Sequence, residues 1–251
     1  MYKSRMKSGI NRIVLFITVF LMIFCLSGLA NVKTEAATAV KYKMQKKEIT
    51  YKDGAKVRGI VSFQYPVLEG DSDQIAEINQ VLRDALNTYM TSENVENIKS
   101  STLFGINNKL FNKDVPQYYW KTDCKVTYNK NNIISMHMKE MWYAGGVYNQ
   151  TDYGYTFHVE TGKVLTAADA IGGTSKQMKS KILKGGKPYF KNKYKEGFDY
   201  TWQLISDSIN SSDVKKLKFY LIPGKARICF GSYELGLGTD YNVFSVPSIY
   251  K

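Results

Sequence analysis

Apolar side chains recur at the spacing of an amphipathic helix most clearly just before residue 90. The segment begins with residues 71–74, whose acidic, hydroxyl and amide side chains are typical of a helix start. The apolar positions that follow are Ile75, Ile78, Val81, Leu82, Ala85, Leu86 and Tyr89. This pattern predicts a helix with one face to bury, so another part of the chain must cover that face.

Weaker helical patterns follow along the chain. Residues 175–194 have helical spacing, but a Gly-Gly pair and Pro188 interrupt it, so we expect two helical pieces there. Short helices are expected at residues 166–169 and 200–210. Residues 92–117 are polar and show no period, which predicts a long loop with a short helical piece.

Alternating apolar and polar residues predict eight strands. They cover about residues 46–51, 57–65, 118–128, 133–143, 148–159, 217–222, 226–230 and 242–246. Pro66 is expected to end the second strand. Turn residues at 129–132 and 144–146 separate three successive strands, which favours an antiparallel meander. The order of elements predicts an α+β fold, with helices packed on one side of a mostly antiparallel sheet or sheets.

The N-terminal forty residues carry a targeting pattern. Four basic residues within the first twelve positions precede an uncharged, largely apolar run at 13–29, and small residues with cleavage-site spacing follow. Residues 1–39 are therefore predicted to be a signal peptide or an N-terminal membrane anchor. Either interpretation places the rest of the chain outside the cytoplasm, secreted or tethered to the outer face of the cytoplasmic membrane. The membrane would be contacted only through an uncleaved N-terminal segment.

Charge narrows the class of partner. The chain has a formal net charge of +13, of which residues 1–39 carry +4, leaving +9 on the rest. Such an excess favours anionic partners. Outside the cytoplasm these are wall polymers, lipid headgroups or acidic proteins, so we do not expect nucleic acid as a partner.

The sharpest charge feature is the lysine-rich stretch at residues 176–195. It contains eight lysines and no acidic residue. Some of these lysines would form a basic ridge on a helix, which could bind an anionic wall polymer such as teichoic acid. The candidates are Lys179, Lys184, Lys187 and Lys191. The alternative is an ordinary solvated helix face.

Two cysteines follow the N-terminal segment, Cys124 and Cys229. An even number of cysteines in an oxidising compartment permits a disulfide. The strand phase places Cys124 on the apolar face of its strand, whereas Cys229 alternates with apolar neighbours and should face away from the core. A disulfide between them is therefore disfavoured.

Motifs for catalysis are scarce. The sequence has no Gly-x-Ser-x-Gly elbow, no His-Glu-x-x-His motif, no Walker loop and no Cys-x-x-Cys pair. His137 and His158 lie in strand patterns without an obvious partner, and no local spacing supplies a metal site, so we expect neither metal nor cofactor. The enzyme alternative pairs one of these histidines with a carboxylate. The carboxylates considered for it are Glu140, Asp152, Glu160 and Asp169.

The turn between two of the predicted strands is rich in aromatic residues. Its Gly-Gly pair permits positive φ angles, and the flanking aromatic side chains offer rigid contact area of the kind found in binding hot spots. The predicted binding residues are Trp142, Tyr143, Gly145, Gly146 and Tyr148. The alternative is that these side chains simply cover the sheet.

Segments at residues 65–79, 143–165 and 219–247 together resemble a known family, the paired DUF4163/DUF3298 region. Residues 65–70 and 77–79 are similar to the opening of the DUF4163 module. The segments similar to the centre of the pair are 143–149, Phe157, 161–163 and Leu165. Those similar to its C-terminal end are 219–224, 233–235, Gly238 and 246–247. The resemblance implies a DUF4163-like half at residues 40–142 and a DUF3298-like half at 143–251.

In that family the module forms the extracellular part of a lysozyme-sensing anti-sigma factor and precedes the catalytic domain of a peptidoglycan deacetylase. The resemblance implies an α+β fold and a non-catalytic binding role at the Gram-positive cell envelope. The implied partner is a wall polymer, peptidoglycan or teichoic acid, or an extracellular protein such as lysozyme. The chain departs from the family at Val147 and Tyr148, where Ala-His is common. A peptidoglycan-modifying enzyme and an envelope structural protein are the alternatives.

Overall fold

The fold is described by a computed structural model, which covers residues 39–111, 117–235 and 241–251. The predicted signal or anchor lies outside these residues, apart from position 39. The strands are β1 (Tyr42–Asp53), β2 (Lys56–Leu68), β3 (Tyr118–Lys130), β4 (Ile133–Ala144), β5 (Val147–His158), β6 (Lys218–Ile222), β7 (Lys225–Phe230) and β8 (Asn242–Pro247). The α-helices are α1 (Asp73–Met90), α2 (Glu93–Asn107), α3 (Ala167–Ile171), α4 (Ser175–Tyr194) and α5 (Phe198–Ser211). The predicted α+β class is confirmed.

Five strands form the larger sheet in the order β1-β2-β3-β4-β5. The predicted meander of β3, β4 and β5 is confirmed, because both pairs are antiparallel. β2 and β3 run parallel, since α1 and α2 carry the chain back across the sheet between them. The two helices cover one face of the sheet, and the buried core beneath them includes Phe63, Ile78, Leu82, Met136 and Met138. The junction between the two predicted halves, at residues 142 and 143, falls inside β4.

Two sequence predictions in this half are wrong. Residues 93–107 form the helix α2 rather than a loop, and its buried face uses Thr102 and Gly105 beside Val95 and Ile98, which weakens the apolar period. Strand β2 continues past Pro66 to Leu68. Proline is tolerated there because pairing with β3 ends at Phe63, so β2 has only one neighbour at that point.

The smaller sheet, in the order β6-β7-β8, stands with the edge of β6 against the other face of the larger sheet. The Leu221 amide donates a hydrogen bond of 2.8 Å to the Ser135 hydroxyl of β4. Gly154 makes the approach possible, since a Cβ there would lie 2.6 Å from the Tyr220 Cβ. On one side of this junction Phe219 joins the core under α3, α4 and α5; on the other, Tyr220 stacks on His137.

Helix α4 is continuous over its 20 residues, so the prediction of two pieces is wrong. The Gly-Gly pair does not break the helix; it lets α4 approach β8, because a Cβ at Gly185 would lie 2.6 Å from the Ser245 carbonyl oxygen. Pro188 is accommodated inside the helix. Within the described ranges, no helix has both the length and the apolarity needed to cross a membrane.

Candidate functional site

The predicted binding turn forms a tight hairpin between β4 and β5. Gly145 and Gly146 have φ angles of 60° and 89°, as a two-residue turn with two left-handed positions requires. Because side chains alternate along a strand, the turn sends Trp142 to the face covered by α1 and α2. Tyr143 and Tyr148 are directly paired and lie on the opposite face. The predicted aromatic anchors therefore share one end of the sheet but are divided between its two faces.

On the helix-covered face, this end of the sheet forms a cleft of about 330 Å³. Trp142 pairs with Trp120 of β3 and with Asn149 of β5, so one cross-strand row supplies the floor. The Tyr89 ring of α1 stacks on Trp120 with the ring centroids 3.7 Å apart, which fixes the indole in place. Among the described residues, the lining consists of Asn94, Trp120, Glu140, Trp142, Asn149, Thr151, Ser232 and Tyr233.

The segment that follows β7 forms one wall of the cleft. It reaches the edge strand β5 where Gly231 meets Thr151, and a Cβ on this glycine would lie 3.3 Å from the Thr151 hydroxyl. The Gly231 amide donates a hydrogen bond of 2.7 Å to the Glu234 carboxylate, which is also paired with Lys218 of β6. These contacts hold Tyr233, which is 63% exposed, beside the cleft.

Two hydrogen-bond acceptors give the cleft its polarity. Burial raises the pKa of Glu140, while a hydrogen bond from the Trp120 side chain and the charge of Lys218 act in the opposite direction. The Asn149 Oδ1 atom is buried and has no hydrogen-bond partner among the residues that the structure describes. An aromatic floor with amide, hydroxyl and carboxyl groups around it can hold a polar ligand that also has an apolar face.

A second polar cluster lies on the opposite face of β4 and β5, and it contains one of the histidine–carboxylate pairs considered for the enzyme alternative, His137 with Asp152. The Tyr148 hydroxyl donates to Gln150 Oε1 at 2.8 Å, and Gln150 Nε2 donates to Asp152 Oδ2 at 2.9 Å. The other carboxylate oxygen, Asp152 Oδ1, is 2.5 Å from His137 Nε2. His137 therefore has a partner that its own strand pattern did not reveal. The signal was the spacing of two residues between 148, 150 and 152, which places all three side chains on one face of a strand.

The charge of Asp152 is stabilised by this cluster. Asp152 is only 4% exposed. Burial raises the pKa of Asp152, but hydrogen bonds from His137 and Gln150, together with the charges of His137 and Lys139, outweigh it and leave the pKa below its usual value. The Tyr220 ring covers the imidazole with a centroid distance of 4.3 Å. His137 is thus fixed in orientation, as an acid–base histidine would need to be.

The two histidines do not converge. His158 pairs with Ile133, four residues along β4 from His137, which separates the two positions by about 13 Å at the usual strand rise. Among the described residues no group of three or more histidine, cysteine or acidic side chains could hold a metal ion.

The cysteines of the described chain are both free. Cys229 points away from the core under α3, α4 and α5, as the strand phase predicts. It is nevertheless only 1% exposed, so the expectation that it lies outside the packed interior is wrong. That side of β7 is covered by the larger sheet, and burial, followed by the nearby charge of Asp152, raises the pKa of the thiol. Burial also raises the pKa of Cys124, to about 12.

Three of the four lysines of the predicted ridge lie together in the structure, and the fourth does not. Lys184, Lys187 and Lys191 are exposed on α4 at spacings of three and four residues, and therefore lie on one side of the helix. Lys187 Nζ lies 5.8 Å from the centre of the Trp202 ring. Lys179 instead donates a hydrogen bond to the Asn210 carbonyl oxygen of α5, a structural contact between the two helices.

Replacing Lys184, Lys187 and Lys191 together by Gln is expected to weaken retention on purified, teichoic-acid-containing cell wall by ~10-fold at low salt, because each exposed charge pair is worth ~0.2–1 kcal/mol. The difference should shrink as salt is added. The matched control replaces Lys41, Lys52 and Lys56, which are also exposed, by Gln. Equal retention of the two triple variants in a sedimentation assay would contradict the ridge as a binding surface.

The architecture places the chain in a structural class. A solved DUF3298 family protein from Pseudomonas aeruginosa PAO1 aligns with a TM-score of 0.52 at 10% identity, over 84% of this chain and 91% of that one. A solved DUF3298 family member from Bacteroides fragilis NCTC 9343 aligns with a TM-score of 0.55 at 12% identity, over 84% and 92%. At this level of identity, the shared property is the fold.

One protein-family model matches part of the sequence. The family model described as deacetylase PdaC matches residues 54–148, which is less than half of the chain. The matched segment begins in the turn between β1 and β2 and ends just after the glycine turn, so it includes Trp120, Glu140 and Trp142 of the cleft. No curated protein matches the chain.

Proposed function

We propose that this chain is a non-catalytic, extracytoplasmic binding module of the Gram-positive cell envelope, and that its ligand is a wall glycan held in the cleft beside Trp142. The observation that carries the proposal is the row of Trp120, Trp142 and Asn149 across three strands, surrounded by polar side chains. A pyranose ring has an apolar C–H face and a rim of hydroxyl groups. The Trp142 ring suits the face, since Trp120 is 4% exposed and stacked against Tyr89, and the polar walls suit the rim.

The size of the cleft and the chain's own signals support the same proposal. A volume of about 330 Å³ lies at the lower end of the range for small-molecule sites and would hold one or two sugar rings. The basic and apolar pattern of residues 1–39 favours the compartment in which wall polymers occur. The matched family model bears the name of a deacetylase, and the resemblance to a module that accompanies such an enzyme is consistent with a role in presenting the polymer.

Trp142→Ala is expected to weaken binding to purified peptidoglycan by ~30-fold, because truncating an aromatic anchor in a binding site typically costs about 2 kcal/mol or more. Binding is measured by sedimentation and by calorimetry with soluble wall fragments. Tyr200→Ala is the control, since this tyrosine is 77% exposed and lies on α5. Undiminished binding by a folded Trp142→Ala protein would rule out the cleft as the glycan site. Capture on immobilised lysozyme, run in parallel, tests the other partner expected from the sequence.

A wall-modifying hydrolase or deacetylase is the second candidate, and the hydrogen bond between His137 and Asp152 is the observation in its favour. It predicts release of acetate or of sugar fragments from peptidoglycan by the purified chain. His137→Ala would abolish that release. Product formation equal to that of a buffer blank would leave the binding module as the function.

A further inference from the structure

The charge of the cleft lining is opposite in sign to the net charge of the protein. The chain after residue 39 carries a net charge of +9, yet the eight described side chains that line the cleft include no Lys, Arg or His and one acid, Glu140. The Trp142 side chain projects from the same face of β4 two residues further on, so a carboxylate and an aromatic ring lie side by side in the cleft. These groups favour a cation over an anion, and the Lys218 charge that also acts on Glu140 is paired with Glu234.

Two hydrogen-bond acceptors of the cleft can bind a donor from a ligand. Glu140 pairs with Thr151, and Asn149 lies two residues away on the same strand, so the carboxylate and the Asn149 Oδ1 are diagonal neighbours on one face. When ionised, the carboxylate only accepts hydrogen bonds; the Trp120 side chain supplies one, and its two oxygens have room for others. The Asn149 Oδ1 is buried without a partner among the described residues, and an unpaired buried acceptor is unfavourable until a donor reaches it.

We infer that the sugar bound in this cleft carries a free amino group: the ligand is a de-N-acetylated amino sugar, with its ammonium group between Glu140, Asn149 and the Trp142 ring. The inference rests on the proposed function and adds the substrate class. An ammonium group supplies three donors and a positive charge, which suits two acceptors and a ring face. An acetamido group has one N–H donor, adds a carbonyl acceptor beside the two already present, and has no charge to offset that of Glu140.

The net charge of the protein makes the test discriminating. A strongly basic chain repels a polycationic glucosamine oligomer, so non-specific electrostatics would favour the neutral N-acetylglucosamine oligomer. Calorimetry at pH 6 with hexamers of each kind, using the wild-type chain, is expected to show at least tenfold tighter binding of the glucosamine hexamer. Glu140→Gln keeps the size of the side chain and should reduce that preference to less than threefold. Glu196→Gln, the same change of charge at an exposed site, should leave it intact.

The outcomes separate the inference from the proposal beneath it. Equal binding of the two hexamers, or tighter binding of the N-acetylated one, overturns the amino-sugar inference and leaves a glycan-binding module in place. If the chain binds neither hexamer and is not retained on peptidoglycan, the proposed function fails and the inference fails with it. A preference for the glucosamine hexamer that Glu140→Gln does not reduce would place the ammonium group elsewhere and overturn the assignment of this cleft.

Discussion

Replacing Asp152 by Ala is expected to lower the free energy of unfolding by ~2–3 kcal/mol, because a buried polar group left without its hydrogen-bond partner costs about 1–3 kcal/mol. The residue is 4% exposed, and its carboxylate bonds both His137 and Gln150. Without it, the imidazole and the Gln150 amide lose their acceptor in a region from which the two sheets exclude water. Urea unfolding at pH 7 measures the loss. Asp123→Ala is the matched control, because Asp123 and Asp152 lie opposite Lys139 from its two sides in the sheet, but Asp123 is exposed.

The same variant has a predictable pH dependence. The folded-state pKa of Asp152 is lowered from its ordinary value of 3.8. The stability contributed by this group is therefore fully present above that value and is lost as the pH falls through the folded-state pKa. The deficit of Asp152→Ala relative to the wild-type chain should therefore shrink as the pH falls below 3.8. A deficit under ~1 kcal/mol at pH 7, comparable to that of an exposed pair, would show that the cluster does not stabilise the fold.

The elements that could be predicted from the sequence are those with local signals. Helix α1 has an apolar stripe and a helix-start signal, and the Ser72 side chain indeed accepts a hydrogen bond from the Ile75 amide. The meander of β3, β4 and β5 follows from alternation and from turn residues. Helix α2 was missed because Thr102 and Gly105 take the place of large apolar residues where the helix packs closely on Gly59 of β2.

The candidate sites were harder to predict from the sequence than the fold, because they depend on contacts between residues far apart in the chain. Asp152 looks like an ordinary surface charge in a strand, and only the arrival of β6, more than sixty residues later in the chain, buries it. Trp142 could be selected from the aromatic glycine turn. Its partners in the cleft could not, since Trp120 and Asn149 join it through strand register and Tyr233 through a loop held by Glu234.

Gly154→Ala is expected to destabilise the chain by ~2–3 kcal/mol, the upper range for overpacking, because the added methyl group meets backbone that cannot give way. A Cβ at this position would lie 2.6 Å from the Met136 carbonyl oxygen and would also collide with the Phe219 carbonyl oxygen of β6. Relief requires the smaller sheet to move away from the larger one. Gly197→Ala is the control, because Gly197 has a φ angle of −84° and no atom within 4 Å of the added Cβ.

The Gly154 variant also tests how the fold supports the cleft. The segment that carries Ser232 and Tyr233 follows β7 directly and is tied to β6 through Glu234 and Lys218. If the smaller sheet is displaced, that wall of the cleft moves with it, whereas the floor on β3, β4 and β5 stays in place. Glycan binding should therefore fall more than threefold at temperatures where the variant is still folded. A variant that is destabilised but binds normally would mean that the floor alone determines affinity.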